Sequence, residues 1–433
     1  MSKKRILILA YYFPPCNSIG ARRPVSWARY FTEQGYDVTV VSRHWSGELN
    51  EWADWLKSSE QRTPEMVEKE GYRVLYLPYT KTEYPKGSFA AKINTFKNFL
   101  TGRIQPETDG LQYLPFLKEH LEKESYDLMI ATAEPYNLID VAFQLNKHFG
   151  IPYIADYRDY EDHFVLAKDP QNSLFKKIEN LSINTYTKKW TSNASLITSV
   201  CYPIADYLGE LTGKKSIEIT NGYEYGMFND LKEILNDKVF QFTVLGTIYP
   251  KQSLDELFEG VQVFLKEIPN PKIQFNFVGL ESIPEVANRM RENMPEKYTR
   301  ITKRVPREEA LAIGKETHVL FYPGFHQYTG FYSGKIFEYL GLKKNILISP
   351  GDEAVIDTLI QRTQTGKIAP TGAALGQALI EWYREWEQNG TIAYHGIDKE
   401  CFHFSRENQA RLLLDQVEEI LGVFQESKVI NQA

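Results

Sequence analysis

Short, almost unbroken apolar runs recur along this chain, and the stretches between them carry apolar residues at helical spacing. The first run, RILILAYYF at residues 5–13, lacks the polar alternation of a half-exposed strand, as expected for a parallel strand covered on both faces. Behind it Asn17, Ser18 and Gly20 mark a turn. Pro24 then stands early in a helical pattern of Val25, Ala28 and Phe31, and Gly35 ends it. Further strands are predicted at 37–42, near 72–79, and at 127–133, 152–156 and 196–200, with a helix at 137–149. Such alternation predicts a doubly wound parallel sheet.

Near residues 217–222 the pattern yields to a polar, charged stretch running through Asp237, and then the winding restarts. Strands are predicted at 242–246, 273–279, 301–305, 319–324 and 346–349, and helices at 254–268, 307–315 and 334–342. Apolar Ala410, Leu413, Leu414, Val417 and Leu421 make an amphipathic helix of residues 407–421. A chain of 433 residues exceeds what one core normally serves. The expected organisation is an α/β protein with two Rossmann-like domains facing across a cleft: 1–222, a linker at 223–238, 239–400, and a tail at 401–433 returning to the first domain. Ligands in such sheets bind at the carboxyl ends of the strands.

The formal charge of -6 argues against a nucleic-acid partner, which selects for a basic footprint. Cys16, Cys201 and Cys401 lie far apart without a CxxC spacing, which suits a reducing compartment and forms no zinc knuckle. Lys3, Lys4 and Arg5 precede the first apolar run in the manner of a signal peptide, but that run ends in Pro14 and Pro15 without a cleavage site and reads better as a strand. No stretch reaches the ~18 apolar residues that span a bilayer. The expected location is cytoplasmic, with peripheral contact at the inner face of the cell membrane. Residues 86–103 carry four basic and no acidic side chains, with Phe89, Ile93, Phe96 and Leu100 on one helical face, and are the segment expected to make it.

The richest segment is 321–349, where a strand runs through a glycine- and hydroxyl-bearing loop into a helix. Ser333 is placed to cap that helix, so Ser333, Gly334 and Lys335 would offer amides to an anion such as a diphosphate. Ile336, Phe337 and Leu340 leave Lys335 and Glu338 together on the opposite face. They are either a phosphate contact and a ribose contact or a solvated ion pair.

Six passages together resemble the GT-B glycosyltransferases, specifically the family-4-like retaining group: ILILAYYFPPCNSIGARRP at the start, DYRDYEDH at 156–163, ITNG at 219–222, VLGTIYPKQSLDEL at 244–257, FNFVGL at 275–280, and SGKIFEYLGLKKNILISPGD at 333–352. Their order and spacing carry the likeness, which covers nearly the whole chain and is weakest at 45–124. The resemblance implies a transferase that moves a sugar from a nucleotide-diphosphate donor to a glycan or lipid-linked acceptor in cell-envelope or extracellular polysaccharide synthesis, with neither cofactor nor metal. Glu338 matches the second acid of the family's E-x7-E pattern and would hold the ribose. Gly330 stands where the first acid belongs. Thr247, after Gly246, fills the place of a diphosphate-holding arginine, and Lys251 approximates the lysine that follows. Gly20 matches a glycine loop that lets backbone approach the donor. The alternatives are a sugar-nucleotide epimerase on the same fold and a non-catalytic subunit of a glycan-assembly complex.

Arg22 and Arg23 open a helix, where a cation is unfavourable unless it meets an anion, so both are candidate acceptor or phosphate contacts, as is Arg158. Glu134, Asp159 and His326 are candidate catalytic groups; no base is assigned, because the relatives' histidine is absent from ATAEP. The plain alternative for Asp156, Arg158 and Asp159 is a mutual ion-pair network.

Overall fold

The computed structural model describes residues 3–47, 49, 52–81, 93, 108–160, 166–168, 173–229 and 237–422. Nearly all of the basic segment 86–103, and residues 230–236 of the expected linker, lie outside them. The chain divides into two compact units, 1–165 with 171–220 and 409–433, and 166–170 with 221–408.

The first unit is built on β1 (Arg5–Ala10), β2 (Asp37–Arg43), β3 (Glu65–Lys69), β4 (Tyr72–Leu77), β5 (Leu128–Thr132), β6 (Tyr153–Tyr157), β7 (Leu196–Ser199) and β8 (Ser216–Glu218). Their order is β3-β4-β2-β1-β5-β6-β7-β8, parallel throughout except for β3, which runs antiparallel to β4. Helices α1 (Arg22–Glu33), α2 (Leu114–Lys123), α3 (Asn137–Phe149), α4 (Leu174–Thr191) and α5 (Tyr202–Thr212) are the principal connections. Ile6 and Ile8 of β1, Val38 and Val40 of β2, and Trp27 and Phe31 of α1 form one core. Ala410, Leu413, Leu414 and Val417 of the last helix, Arg406–Leu421, belong to that same core. An apolar stripe at helical spacing needs a covering face, and here it closes the sheet on the side of α1.

The second unit has β9 (Phe240–Leu245), β10 (Ile273–Val278), β11 (Thr299–Ile301), β12 (Val319–Pro323), β13 (Asn345–Ser349) and β14 (Gly366–Ile368) in the order β11-β10-β9-β12-β13-β14, all parallel. The connecting helices are α6 (Asp255–Glu267), α7 (Pro284–Asn293), α8 (Arg307–Lys315), α9 (Gly334–Leu342), α10 (Val355–Thr363) and α11 (Gly372–Asn389). Phe242 anchors this core, its ring 5.4 Å from both Phe275 and Phe321. Two doubly wound sheets are therefore present, as expected.

Candidate functional site

A parallel sheet opens a crevice beyond the carboxyl ends of two neighbouring strands whose connections leave in opposite directions. That place lies between β1 and β5 in the first unit and between β9 and β12 in the second. Most of the sequence candidates fall at these two rims.

In the second unit β9 ends at Leu245, and Gly246 turns the chain with φ 78°. Three strands later in sequence and next to β9 in the sheet, β12 runs into the loop that leads to α9. Ser333 occupies the N-cap position with extended backbone, but its hydroxyl makes no capping bond, which corrects the expectation of a side-chain cap. The first-turn amides of a helix have no intrahelical partner, and the helix dipole makes this end electropositive. Lys335 reaches from the same turn and donates its Nζ hydrogen to the Thr247 carbonyl oxygen. Its Cε is 3.7 Å from where a Cβ at Gly246 would stand. Burial pushes the Lys335 ammonium down to about 7, and among the described residues no carboxylate offsets it. Gly246, Thr247, Ser333, Gly334 and Lys335 thus form one half-buried corner, to which the Lys335 ammonium and the first-turn amides bring positive charge.

Lys335 and Glu338 take separate partners, a correction to the pair read from their spacing. Glu338 Oε1 accepts from Arg307 Nε at 3.0 Å, and Arg307 Nη1 also lies 3.6 Å from Glu224. Arg307 was missed by motif reading, although a cation in the first turn of α8 carries the same dipole mismatch that singled out Arg22 and Arg23. Gly330 has φ 77°, a left-handed backbone in which glutamate would be strained. Its amide donates to Asp352 Oδ2 at 3.2 Å, so Asp352 is the acid beside the position where the E-x7-E pattern is broken. The Asp352 carboxylate also accepts from the amides of Ala354, Ile356 and Asp357 at the start of α10. Lys251 donates to the Tyr328 hydroxyl at 3.2 Å, and His326 Nε2 is 2.8 Å from Glu256 Oε1.

At the rim of the first unit, Gly20 lies in a short 3-10 turn before α1. A Cβ there would fall 1.7 Å from Arg158 Nη1, so the group that exploits the missing side chain is this guanidinium. Arg158 Nη2 donates to Glu134 Oε2 at 3.3 Å, and its Nε lies 3.5 Å from Asp159 Oδ2. Its Cζ is 5.9 Å from the Tyr12 ring. Burial, and then Glu134, push the Tyr12 hydroxyl well above its ordinary value. Gly20, Glu134, Arg158 and Asp159 therefore meet, whereas Arg23 does not join them. Arg23 is 2% exposed and forms a two-pronged pair with Asp156, Nη2 to Oδ1 at 2.7 Å and Nε to Oδ2 at 3.1 Å, while Nη1 donates to the Thr220 carbonyl at 2.9 Å. Thr132 and Thr198 hydroxyls donate to the same carboxylate at 2.7 Å. Arg23 is thus an internal strut, and its expected role as an acceptor or phosphate contact is corrected. The anion that its dipole mismatch called for is Asp156. The network expected among Asp156, Arg158 and Asp159 is accordingly split. Arg22, the first residue of α1, is half-buried.

No protein-family model and no curated protein sequence matches the chain. Solved structures do match it over nearly its whole length. The sucrose-phosphate synthase of Thermosynechococcus elongatus superposes with a TM-score of 0.63 at 13% identity, over 98% of this chain and 100% of that one. A glycosyltransferase from Rickettsia africae gives 0.61 at 15% identity, over 97% and 99%. The Anabaena protein HepE, solved with UDP and glucose, gives 0.57 at 12% identity, over 96% and 100%.

The fold is GT-B.

Within that GT-B fold the corner at Thr247 and Lys335 belongs to the second unit, and the Gly20–Glu134–Arg158 cluster to the first. An ammonium beside a helix amino terminus offers an anion both a charge and unpaired backbone amides. Among the described residues no group of three or more histidine, cysteine or carboxylate side chains is arranged to hold a metal ion.

Proposed function

We propose that this chain is a nucleotide-sugar-dependent glycosyltransferase that works in the cytoplasm, moving a sugar from a nucleoside-diphosphate donor to a hydroxyl of a glycan or lipid-linked acceptor in cell-envelope or extracellular polysaccharide synthesis. The observation that carries the reading is the Lys335 ammonium, enclosed beside the Thr247 carbonyl at the amino end of α9. Breaking the bond between a sugar and a diphosphate develops negative charge on the leaving oxygen, and fixed donors aimed there lower the barrier directly. The amides of residues 333–335 and the ammonium are those donors. Glu338, one turn further, is placed to accept from the ribose hydroxyls, with Arg307 holding its carboxylate in position. The acceptor oxygen bonds to the anomeric carbon from the face that the phosphate leaves, so configuration is retained, and the hydroxyl proton passes to the departing phosphate oxygen. The HepE structure with UDP and glucose supports a donor of this class.

Lys335 supplies a cation where Thr247 provides none, which favours donor binding despite the lost arginine. The broken acid pattern at Gly330 favours a second reading, a non-catalytic subunit that binds a nucleotide sugar without turning it over. A panel of nucleotide sugars screened by thermal stabilisation tests both. A ligand at about 100 times its Kd adds about 2.7 kcal/mol to stability, and Glu338→Ala reduces that shift. Release of nucleoside diphosphate only when acceptor is added separates transfer from mere binding. Failure of every nucleotide sugar to stabilise the chain overturns the proposal.

A further inference from the structure

Helix α4 presents an apolar stripe outward. Its inner face is anchored in the first unit: Ile183, Thr187 and Trp190 are buried, and Asn184 Oδ1 accepts from the hydroxyls of Tyr160 and Tyr207 at 2.7 and 3.1 Å. The helix packs there against α3 and α5. With about 100° between successive residues, Leu174, Ile178 and Leu181 fall on one line on the opposite face. They are 75%, 48% and 68% exposed, although isolated exposed aliphatics are ordinary and three in register are not. Thr185 continues the line. Exposed Lys177 and Lys188 border it on one side and Lys189 on the other. The helix holds four lysines against one glutamate, and Lys176 pairs with that Glu179 at 2.6 Å, in a chain whose formal charge is -6.

We infer that the outer face of α4 is a peripheral docking surface for an anionic lipid bilayer. A ridge of aliphatic side chains flanked by lysine ammonium groups matches the boundary between acyl chains and negative headgroups, where the ridge enters and the lysines remain at the phosphates. A second copy of this chain is the weaker occupant, because pairing the ridge with itself brings two positively charged helices together. The surface uses none of the residues placed at the two rims and does not depend on the proposed nucleotide site. In sequence it is separate from residues 86–103.

The test is cosedimentation of the full chain with vesicles of phosphatidylcholine alone, and of phosphatidylcholine with phosphatidylglycerol in a two-to-one ratio. Binding is expected only to the second kind and is weakened by salt. Each lysine near an anionic surface contributes roughly fivefold, so Lys177→Glu/Lys188→Glu/Lys189→Glu lowers the partition coefficient by about 100-fold or more. Leu174→Ser/Ile178→Ser/Leu181→Ser abolishes sedimentation while leaving the unfolding midpoint within a few degrees of the parent, since these side chains lie outside the core. The inference is overturned if the chain stays in the supernatant with anionic vesicles, if the serine variant binds as well as the parent, or if phosphatidylglycerol makes no difference. It is also overturned by a dimer in gel filtration that the serine variant dissolves, which would assign the ridge to a second copy.

Discussion

Titrating UDP into the chain at different pH values tests the Lys335 corner with a sign and a size. In the free protein burial holds the ammonium at about 7, against an ordinary 10.5, so at pH 7 about half the molecules carry the charge. A diphosphate favours the charged form and raises the lysine's pKa in the complex, so binding draws in a proton. The contribution of this charge is complete below the free-protein value and is lost as pH rises towards the value in the complex. If that value is restored to 10.5, the apparent Kd rises about 50-fold between pH 7 and pH 9. Proton uptake grows over the same interval from about one half to nearly one per UDP. Isothermal titration in two buffers of different ionisation enthalpy reads both quantities. The phosphate itself is ionised throughout this range and adds little slope. Lys335→Arg, which cannot lose its proton, binds with a Kd flat across the interval. Lys335→Met is equally flat but weaker than the parent at pH 7. An unchanged parental Kd from pH 7 to pH 9 without proton uptake would refute the reasoning.

Three other outcomes follow from the packing. Asp156→Ala strands the Arg23 guanidinium among buried neighbours and lowers the stability of the first unit by about 3 to 5 kcal/mol in urea titration. Gly20→Ala directs a methyl group at Arg158 Nη1; because a guanidinium can swing aside, stability changes little while turnover falls, which a denaturation curve and a kinetic assay read separately. Leu413→Ala removes a fully buried side chain from the core shared by α1 and the last helix, and lowers the unfolding free energy by about 2 to 5 kcal/mol.

The doubly wound architecture was legible because its central strands are buried on both faces and so read as apolar runs; β1, β5 and β12 lie within the predicted stretches. The edges were not. β3 carries three charged residues in five and is largely exposed, so neither periodicity nor apolarity marks it. β14 is a three-residue strand, too short for a pattern to register. At the rims, residue types were legible and pairings were not. The helix-dipole argument correctly demanded an anion for Arg23 but was silent on whether it came from a ligand or from Asp156, 133 residues away. Lys335 and Glu338 were rightly placed away from the core of α9, yet their partners Thr247 and Arg307 come from other segments, which spacing within one helix does not encode. Asp352 leaves a readable trace, an acid following glycine just before an apolar helix, and its bonds to three amides show the capping role.

Diffraction from crystals soaked with UDP addresses the central claim most directly. The prediction is phosphate density within hydrogen-bond distance of the Gly334 and Lys335 amides and of Lys335 Nζ, with the ammonium released from the Thr247 carbonyl and the ribose hydroxyls on Glu338. Well-occupied UDP bound elsewhere, with Lys335 still bonded to Thr247, would contradict it.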